Sequence, residues 1–279
     1  MRFDLHMHTT HSDGELTVKE LLEKAKSLDL TGLSITDHDT IGSYPEAFQL
    51  GDAMNLKILS GVEISCLQDE ASIHVLGYGF SIHDEEFLAF IKKCQKLRKE
   101  RNLKMIEKLS ENNITITQEE LKEAFNKPLS QIGRPHFAKL LVKKGVVKTS
   151  QDAFNNYLKD GAKCYVLGHR PSVLDAIKAL HKAKAFAVVA HPHLINNAQL
   201  VKDVLKLPID GLECYYAKFM PSQEKKWIDI ATEKKWVMTG GSDFHGDGKR
   251  NNELGCSWVS EDAFNVLYER QKANENAEL

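Results

Sequence analysis

No apolar run in the 279-residue chain approaches the length of a bilayer span, so no transmembrane helix is expected. Paired cysteines are also missing. Cys66, Cys94, Cys164, Cys214 and Cys256 are scattered and form no CxxC, which argues against a disulfide framework and suits a reducing cytoplasm. There is no internal repeat and no low-complexity tract. The N-terminus enters a predicted strand almost at once, which predicts no signal peptide. Nor does one sign of charge dominate, since the net charge is −2. That balance alone predicts no polyanion partner. It is unevenly spread, however. Residues 92–148 carry 15 Lys/Arg against 6 Asp/Glu, or +9, leaving −11 in the remainder. A basic segment is set into an acidic body. It reads either as solvated Lys-rich helix faces or as an electrostatic guide for a phosphorylated substrate.

What is present is an alternation of short apolar runs with helical patterns. Candidate strands are Arg2–His6, Gly32–Thr36, Lys57–Ile64, Ser72–Tyr78, Ala185–Ala190, Gly211–Cys214 and Trp236–Thr239. Between them, Val18–Leu28 has apolar residues three and four apart behind Thr17 as N-cap, and Val173–Ala183 and Gln223–Lys234 look helical. Such alternation argues for a parallel sheet or a barrel. It breaks between about residues 82 and 170. There, one long helix from Asp84 to Asn112-Asn113 and shorter ones over Gln118–Phe125, His136–Lys144 and Gln151–Lys159 are expected. The domain reading is therefore a barrel made of 1–82 and 170–279 with a helical insertion at 83–169. The last residues, Ala273–Leu279, are expected to fray.

The chemistry sits at the ends of the apolar runs. Asp4-Leu5-His6-Met7-His8 puts two imidazoles two apart on a strand, hence on one face, with Asp13 a few residues on. Matching pieces are His38 in TDHDT, Glu63 in GVEIS, His74, His191 in AHP, and Asp243 and His245 in GGSDFHG. Asp37 and Asp39 flank His38 and read as partners that orient it or support its loop. The candidate ligands are His6, His8, Asp13, His38, Glu63, His74, His191, Asp243 and His245. They are imidazoles and carboxylates without thiolate. This set suits Mn²⁺, Fe²⁺ or Zn²⁺ rather than a structural zinc knot. It exceeds what one ion can use, so two or three ions are implied. Ions about 4 Å apart can supply a nucleophile at neutral pH and clamp a phosphoryl group.

These motifs, DLHMHTTHSDG, TDHDT, GVEIS, His74-Val-Leu-Gly-Tyr-Gly, AHP and GGSDFHG, resemble in kind and order those of the PHP (polymerase and histidinol phosphatase) family of metal-dependent phosphoesterases. The resemblance implies a distorted seven-stranded βα (TIM-like) barrel of the α/β class holding up to three divalent ions. Manganese is the favoured ion, with iron, zinc or magnesium as alternatives. On that pattern His6, His8, Glu63 and Asp243 hold the first ion, Asp13, His38 and His245 the second, and Glu63, His74 and His191 the third. His193 departs from the glycine that close relatives often carry after AHP.

The insertion, with Gly133-Arg134-Pro135-His136-Phe137-Ala138 preceded by Arg98 and Arg101, is similar to the cap of the branch containing nucleoside 3′,5′-bisphosphate phosphatases and the 5′→3′ exoribonuclease RNase AM. The implied activity is hydrolysis of 5′-phosphate esters of nucleotides or of 5′-phosphorylated oligonucleotides by metal-activated hydroxide. Substrate phosphates are expected between the metals and the cap. Arg98, Arg101, Arg134 and His136 are the phosphate-binding candidates, and Ser130 is a loop serine able to donate to a phosphate. Asp13, His191 and Asp243 are the catalytic candidates, and the leaving oxygen is protonated through water or a nearby acid, with the Asp13 or His191 side-chain networks as one source. The expected partner is a nucleotide or short nucleic acid, with no membrane and no obligate protein partner. Two alternatives stand beside this reading: a histidinol-phosphate phosphatase, and a non-catalytic PHP module that binds without turnover.

Overall fold

The computed structural model describes residues 1–217, 219–246 and 252–277. The chain divides into two compact units, residues 1–91 with 171–279, and residues 92–170. Among the described residues no helix is long and apolar enough to cross a membrane.

The first unit opens with β1 (Phe3–Asp4), α1 (Val18–Ser27), β2 (Gly32–Leu33), α2 (Tyr44–Met54), β3 (Lys57–Ile58), β4 (Gly61–Gln68) and β5 (Ala71–Tyr78). Helix α1 shows why its sequence folds this way. Thr17 and Glu20 form a reciprocal capping box, and Val18, Leu21, Leu22 and Ala25 make the buried stripe. Helix α3 (Glu85–Glu111) begins in the first unit and continues into the second, which adds α4 (Gln118–Phe125), α5 (Arg134–Lys143) and α6 (Ser150–Ala153). The first unit resumes with α7 (Val173–Lys182), β6 (Phe186–Val189), α8 (Ala198–Val204), β7 (Gly211–Tyr216), α9 (Pro221–Lys234), β8 (Val237–Gly241) and α10 (Glu261–Asn276).

The strands form a parallel sheet β1-β2-β3 and a five-stranded sheet β4-β5-β6-β7-β8. In the second sheet β5 runs antiparallel to both neighbours, whereas β6, β7 and β8 are parallel. Two seams join the sheets. Asp39 N donates to Glu63 O (3.0 Å) at one, and Leu5 N donates to Gly240 O (3.1 Å) and His8 N to Phe244 O (2.8 Å) at the other. A core of Phe3, Leu5, Leu76, Tyr78, Val188 and Phe264 lies inside, with Phe3 stacked on Phe264 at 4.1 Å. Each such side chain contributes roughly 1.5–3 kcal/mol by leaving water.

Several expectations need correction. Lys57–Ile64 is not one strand. It breaks at Leu59-Ser60, because Gln271 Oε1 takes the Ser60 amide and the Tyr44 hydroxyl takes that of Gly61. Strand β5 is antiparallel, so the alternation is not uniform, and Glu63 and His74 lie within their strands rather than at the ends. The segment 151–159 is not one regular helix; α6 passes into a π-helical turn at Phe154–Leu158. Residues Ala273–Asn276 do not fray but belong to α10, where buried Asn274 donates to Gly79 O (2.7 Å); 278–279 lie outside the described residues.

The second unit has its own core of Met105, Leu109, Leu121, Leu129, Phe137 and Leu141. Buried Asn102 ties it together, donating to Leu129 O and Ile132 O, both at 2.8 Å.

Candidate metal centre

All nine ligand candidates converge in the first unit. His6 and His8 follow β1 and share a face. Asp13 and His38 come from the loops after β1 and β2, Glu63 and His74 from β4 and β5, and His191, Asp243 and His245 from the segments after β6 and β8. Among the described residues three groups of potential ligand atoms form: His6, His8, Glu63 and Asp243; His8, Asp13, His38 and His245; and His38, Glu63 and His74. His191 Nε2 joins them 2.9 Å from Glu63 Oε1.

The distances in the first group are informative. His6 Nε2 lies 3.3 Å from Glu63 Oε2 and 3.4 Å from Asp243 Oδ1; for His8 Nε2 the values are 3.2 and 3.3 Å. Four donors tetrahedrally placed about 2.0–2.1 Å from a centre stand about 3.3–3.4 Å apart. His6 Nε2, His8 Nε2, Asp13 Oδ1, His38 Nδ1 and Glu63 Oε2 are buried and have no hydrogen-bond partner among the described residues. Buried polar atoms are normally satisfied, so five unsatisfied ones aimed at one another fit divalent cations.

Without cations the groups lean on each other. Burial opposes the charged form of His6, but Glu213, Glu63 and Asp243 more than compensate and hold its pKa well above the usual value. His8 is likewise held up at about 9 by Asp243 and Glu63 against burial. Burial would raise Asp13 and Glu63, yet both lie well below the usual range, Asp13 through His245 and His38 and Glu63 through His38 and His74. His38 falls to about 3 because burial, helped by His8 and His74, outweighs Glu63 and Asp13.

The surrounding shell holds residues that sequence reasoning missed. Buried Glu213 accepts from His6 Nδ1 (2.7 Å) and from the His191 amide (2.7 Å). The Tyr216 hydroxyl donates to Asp243 Oδ2 (2.7 Å). Residues three apart on a regular strand face opposite sides. Here the register against β8 shifts between Glu213 and Tyr215, so Glu213 opposes Thr239 while Tyr216 opposes Gly241. The bulge turns both side chains into the site. Asp4 accepts the amides of His6, Ser242 and Gly255, and burial raises its pKa to about 6. Asp37, by contrast, was expected as a support from its place beside His38; it accepts from Thr9 N, Thr9 Oγ1 and Ser12 Oγ at 2.6–2.8 Å and so holds the loop that carries Asp13. A carboxylate inside an apolar run, as in Gly211-Leu212-Glu213-Cys214, was the available signal.

The remaining candidates lie in the second unit. Arg101 is buried, with Nη2 donating to Asn102 Oδ1 (2.7 Å), and Arg98 is half-buried one turn earlier. Ser130 lies in a short 3-10 turn, Leu129–Gln131. Arg134 donates to Asp160 Oδ1 (3.1 Å) beside the Tyr165 ring. His136 Nδ1 accepts the Gly133 amide (2.9 Å), so this ring caps its own helix.

A family model for the PHP domain matches residues 4–159. The chain belongs to the PHP family. A 5′-3′ exoribonuclease of Haemophilus influenzae is 28% identical over 268 residues, covering 92% of each chain. A 3′,5′-nucleoside bisphosphate phosphatase of Chromobacterium violaceum is 29% identical and covers 90% of each. The crystal structure of a protein from Bifidobacterium adolescentis, assigned as a metal-dependent phosphoesterase, superposes with a TM-score of 0.86 at 31% identity over 96% of both chains. This PHP chain thus has the α/β fold of metal-dependent phosphoesterases.

Proposed function

We propose that this protein hydrolyses 5′-phosphate esters of nucleotides, nucleoside 3′,5′-bisphosphates among them, and of 5′-phosphorylated oligonucleotides in the 5′→3′ direction. The single observation that carries the reading is the cluster of unsatisfied, buried imidazole and carboxylate atoms around Glu63. The full-length similarity to an exoribonuclease and a bisphosphate phosphatase supports the substrate class.

His6, His8, Glu63 and Asp243 would hold one divalent ion, Asp13, His38 and His245 a second, and Glu63, His74 and His191 a third, with manganese preferred. Such ions supply Lewis acidity toward phosphoryl oxygens and a nucleophile drawn from water at neutral pH. The chain itself does the rest. Glu63 belongs to two groups and fixes their spacing. Asp243 is steadied by Tyr216. The leaving oxygen takes its proton through water or a nearby acid, steered by the Asp13 or His191 side-chain network. In the insertion, residues 83–169, the groups Arg98, Arg101, Ser130, Arg134 and His136 bind substrate phosphate. The two sheets would together make one distorted barrel, seven-stranded when β3 and β4 are counted as the single interrupted run Lys57–Ile64. The five cysteines, with no disulfide among the described residues, suit a cytoplasmic location, and the chemistry calls for no protein partner.

The test is release of phosphate and nucleotide by the Mn²⁺-loaded protein, with His8→Ala as control. Adenosine 3′,5′-bisphosphate and a 5′-phosphorylated RNA oligomer are run in parallel. Phosphate from the first or mononucleotides from the second, lost in the control, is the expected result. Turnover of histidinol phosphate alone, or bound metal with no turnover of any phosphoester, overturns the proposal.

A further inference from the structure

We infer that Glu213 is a positioning residue that fixes the proton on His6 and the backbone of His191 with one carboxylate, and so ties together two of the proposed ion sites. The inference rests on the proposed metal-dependent reading for the presence of ions, but not on any substrate.

Three observations carry it. First, Glu213 Oε1 is 2.7 Å from His6 Nδ1. A carboxylate there keeps the ring proton on Nδ1, which leaves the Nε2 lone pair facing Glu63 and Asp243. Second, Oε2 accepts the His191 amide at 2.7 Å. His191 adopts φ 27°, ψ 59°, a left-handed conformation that costs a non-glycine residue roughly 1–2 kcal/mol. The bond from its amide holds that turn and aims the imidazole at Glu63 Oε1, 2.9 Å away. Third, the β7 bulge gives Glu213 and Tyr216 the same facing, so strand β7 steadies both His6 and Asp243. Glutamine is nearly isosteric but cannot replace both oxygens. Its amide group must face either the His6 Nδ1–H or the His191 N–H, donor against donor.

The experiment compares wild-type and Glu213→Gln protein, each stripped of metal and titrated with Zn²⁺ as a diamagnetic probe. Dissociation constants and ions bound per chain are read together with long-range ¹H–¹⁵N spectra of the zinc-loaded histidines. The expected result is an affinity about 10–100-fold weaker, loss of the His6 Nδ1–H signature, and a metal-free melting temperature close to wild type. Affinity within twofold of wild type with an unchanged His6 signal overturns the inference. If the Gln variant does not fold, Glu213→Asp, which keeps both oxygens on a shorter stem, is read the same way; wild-type zinc affinity there overturns the inference and weakened affinity supports it. Wild-type protein that binds zinc but hydrolyses no phosphoester sinks the proposed function while leaving this result readable.

Discussion

Gly14→Ala is a small change with a calculable effect on the centre. A Cβ at position 14 would stand 2.2 Å from His8 O, 2.4 Å from His8 C and 2.7 Å from Thr9 N. All three are backbone atoms, so no side chain can swing aside. Ordinary contact begins near 3.4 Å, so the loop over residues 9–14 must move by about 1 Å. Overpacking of this kind costs about 1–3 kcal/mol. The loop carries Asp13, whose Oδ1 lies 3.4 Å from His245 Nε2 and 3.9 Å from His8 Nδ1 and His38 Nε2. A misplacement of about 1 Å in such a group costs up to about 100-fold in turnover. The assays are melting temperature, ions per chain by elemental analysis, and kcat/KM on a 5′-phosphate ester. Melting should fall by about 2–4 °C per kcal/mol lost, and metal content and turnover should fall with it. Gly145→Ala is the control. It sits at φ +72° with nothing within 4 Å of the new Cβ, so it should cost stability through backbone strain while leaving metal content unchanged. Full metal loading and wild-type turnover in Gly14→Ala would refute the reasoning.

Tyr216→Phe removes the hydroxyl that bonds Asp243 Oδ2. At about 1.5–3 kcal/mol for a bond to a charged group, metal affinity should weaken by roughly tenfold or more with the fold intact; unchanged affinity in a metal titration would show that Asp243 needs no such support. Metal-free protein should lose stability as pH rises from about 6.5 through about 9. The His6 and His8 pKa values are raised on folding, His8 to about 9, so their contribution is complete below the unfolded value of 6.5 and fades above it. Metal affinity should rise over the same window as those protons become easier to displace; melting curves with and without Mn²⁺ from pH 6.5 to 9 test both. Arg134→Ala should weaken use of adenosine 3′,5′-bisphosphate by about 10–100-fold, the size of a charge-assisted bond, while hydrolysis of an aryl phosphate changes little. Equal loss on both substrates would count against a phosphate-binding role.

His6, His8, Asp13, Asp243 and His245 were readable from sequence because imidazoles and carboxylates two to five residues apart have few other uses, whereas Glu63 and His74, inside their strands, stood out only through the motifs around them. His6-Met7-His8 needs only the two-residue period of a strand to place both rings together. Glu213 and Tyr216 were not readable in the same way. Their spacing of three contradicts that period, and only the bulge reconciles them. Helices α1 and α7 announced themselves by apolar stripes behind Thr17 and Ser172. Helix α10 did not, because part of its buried face is made of Gln271 and Asn274, which look solvent-facing until their carbonyl partners are seen. The Lys57–Ile64 run looked like one strand because hydrophobicity says nothing about Tyr44 and Gln271 capturing the amides within it.

Glu63 takes part in both architecture and site. Its carbonyl receives the Asp39 amide at the seam between the sheets, and its carboxylate faces His6, His8 and His38 on one oxygen and His74 and His191 on the other. An opened seam therefore scatters the binding groups, and an ion recognises only the closed chain. Free ion at 100 times its dissociation constant then adds about 2.7 kcal/mol to the closed form. In a cell short of the ion, the first consequence would be fewer intact copies, as proteases reach chains whose seam has parted, before any limit on turnover by the copies that remain.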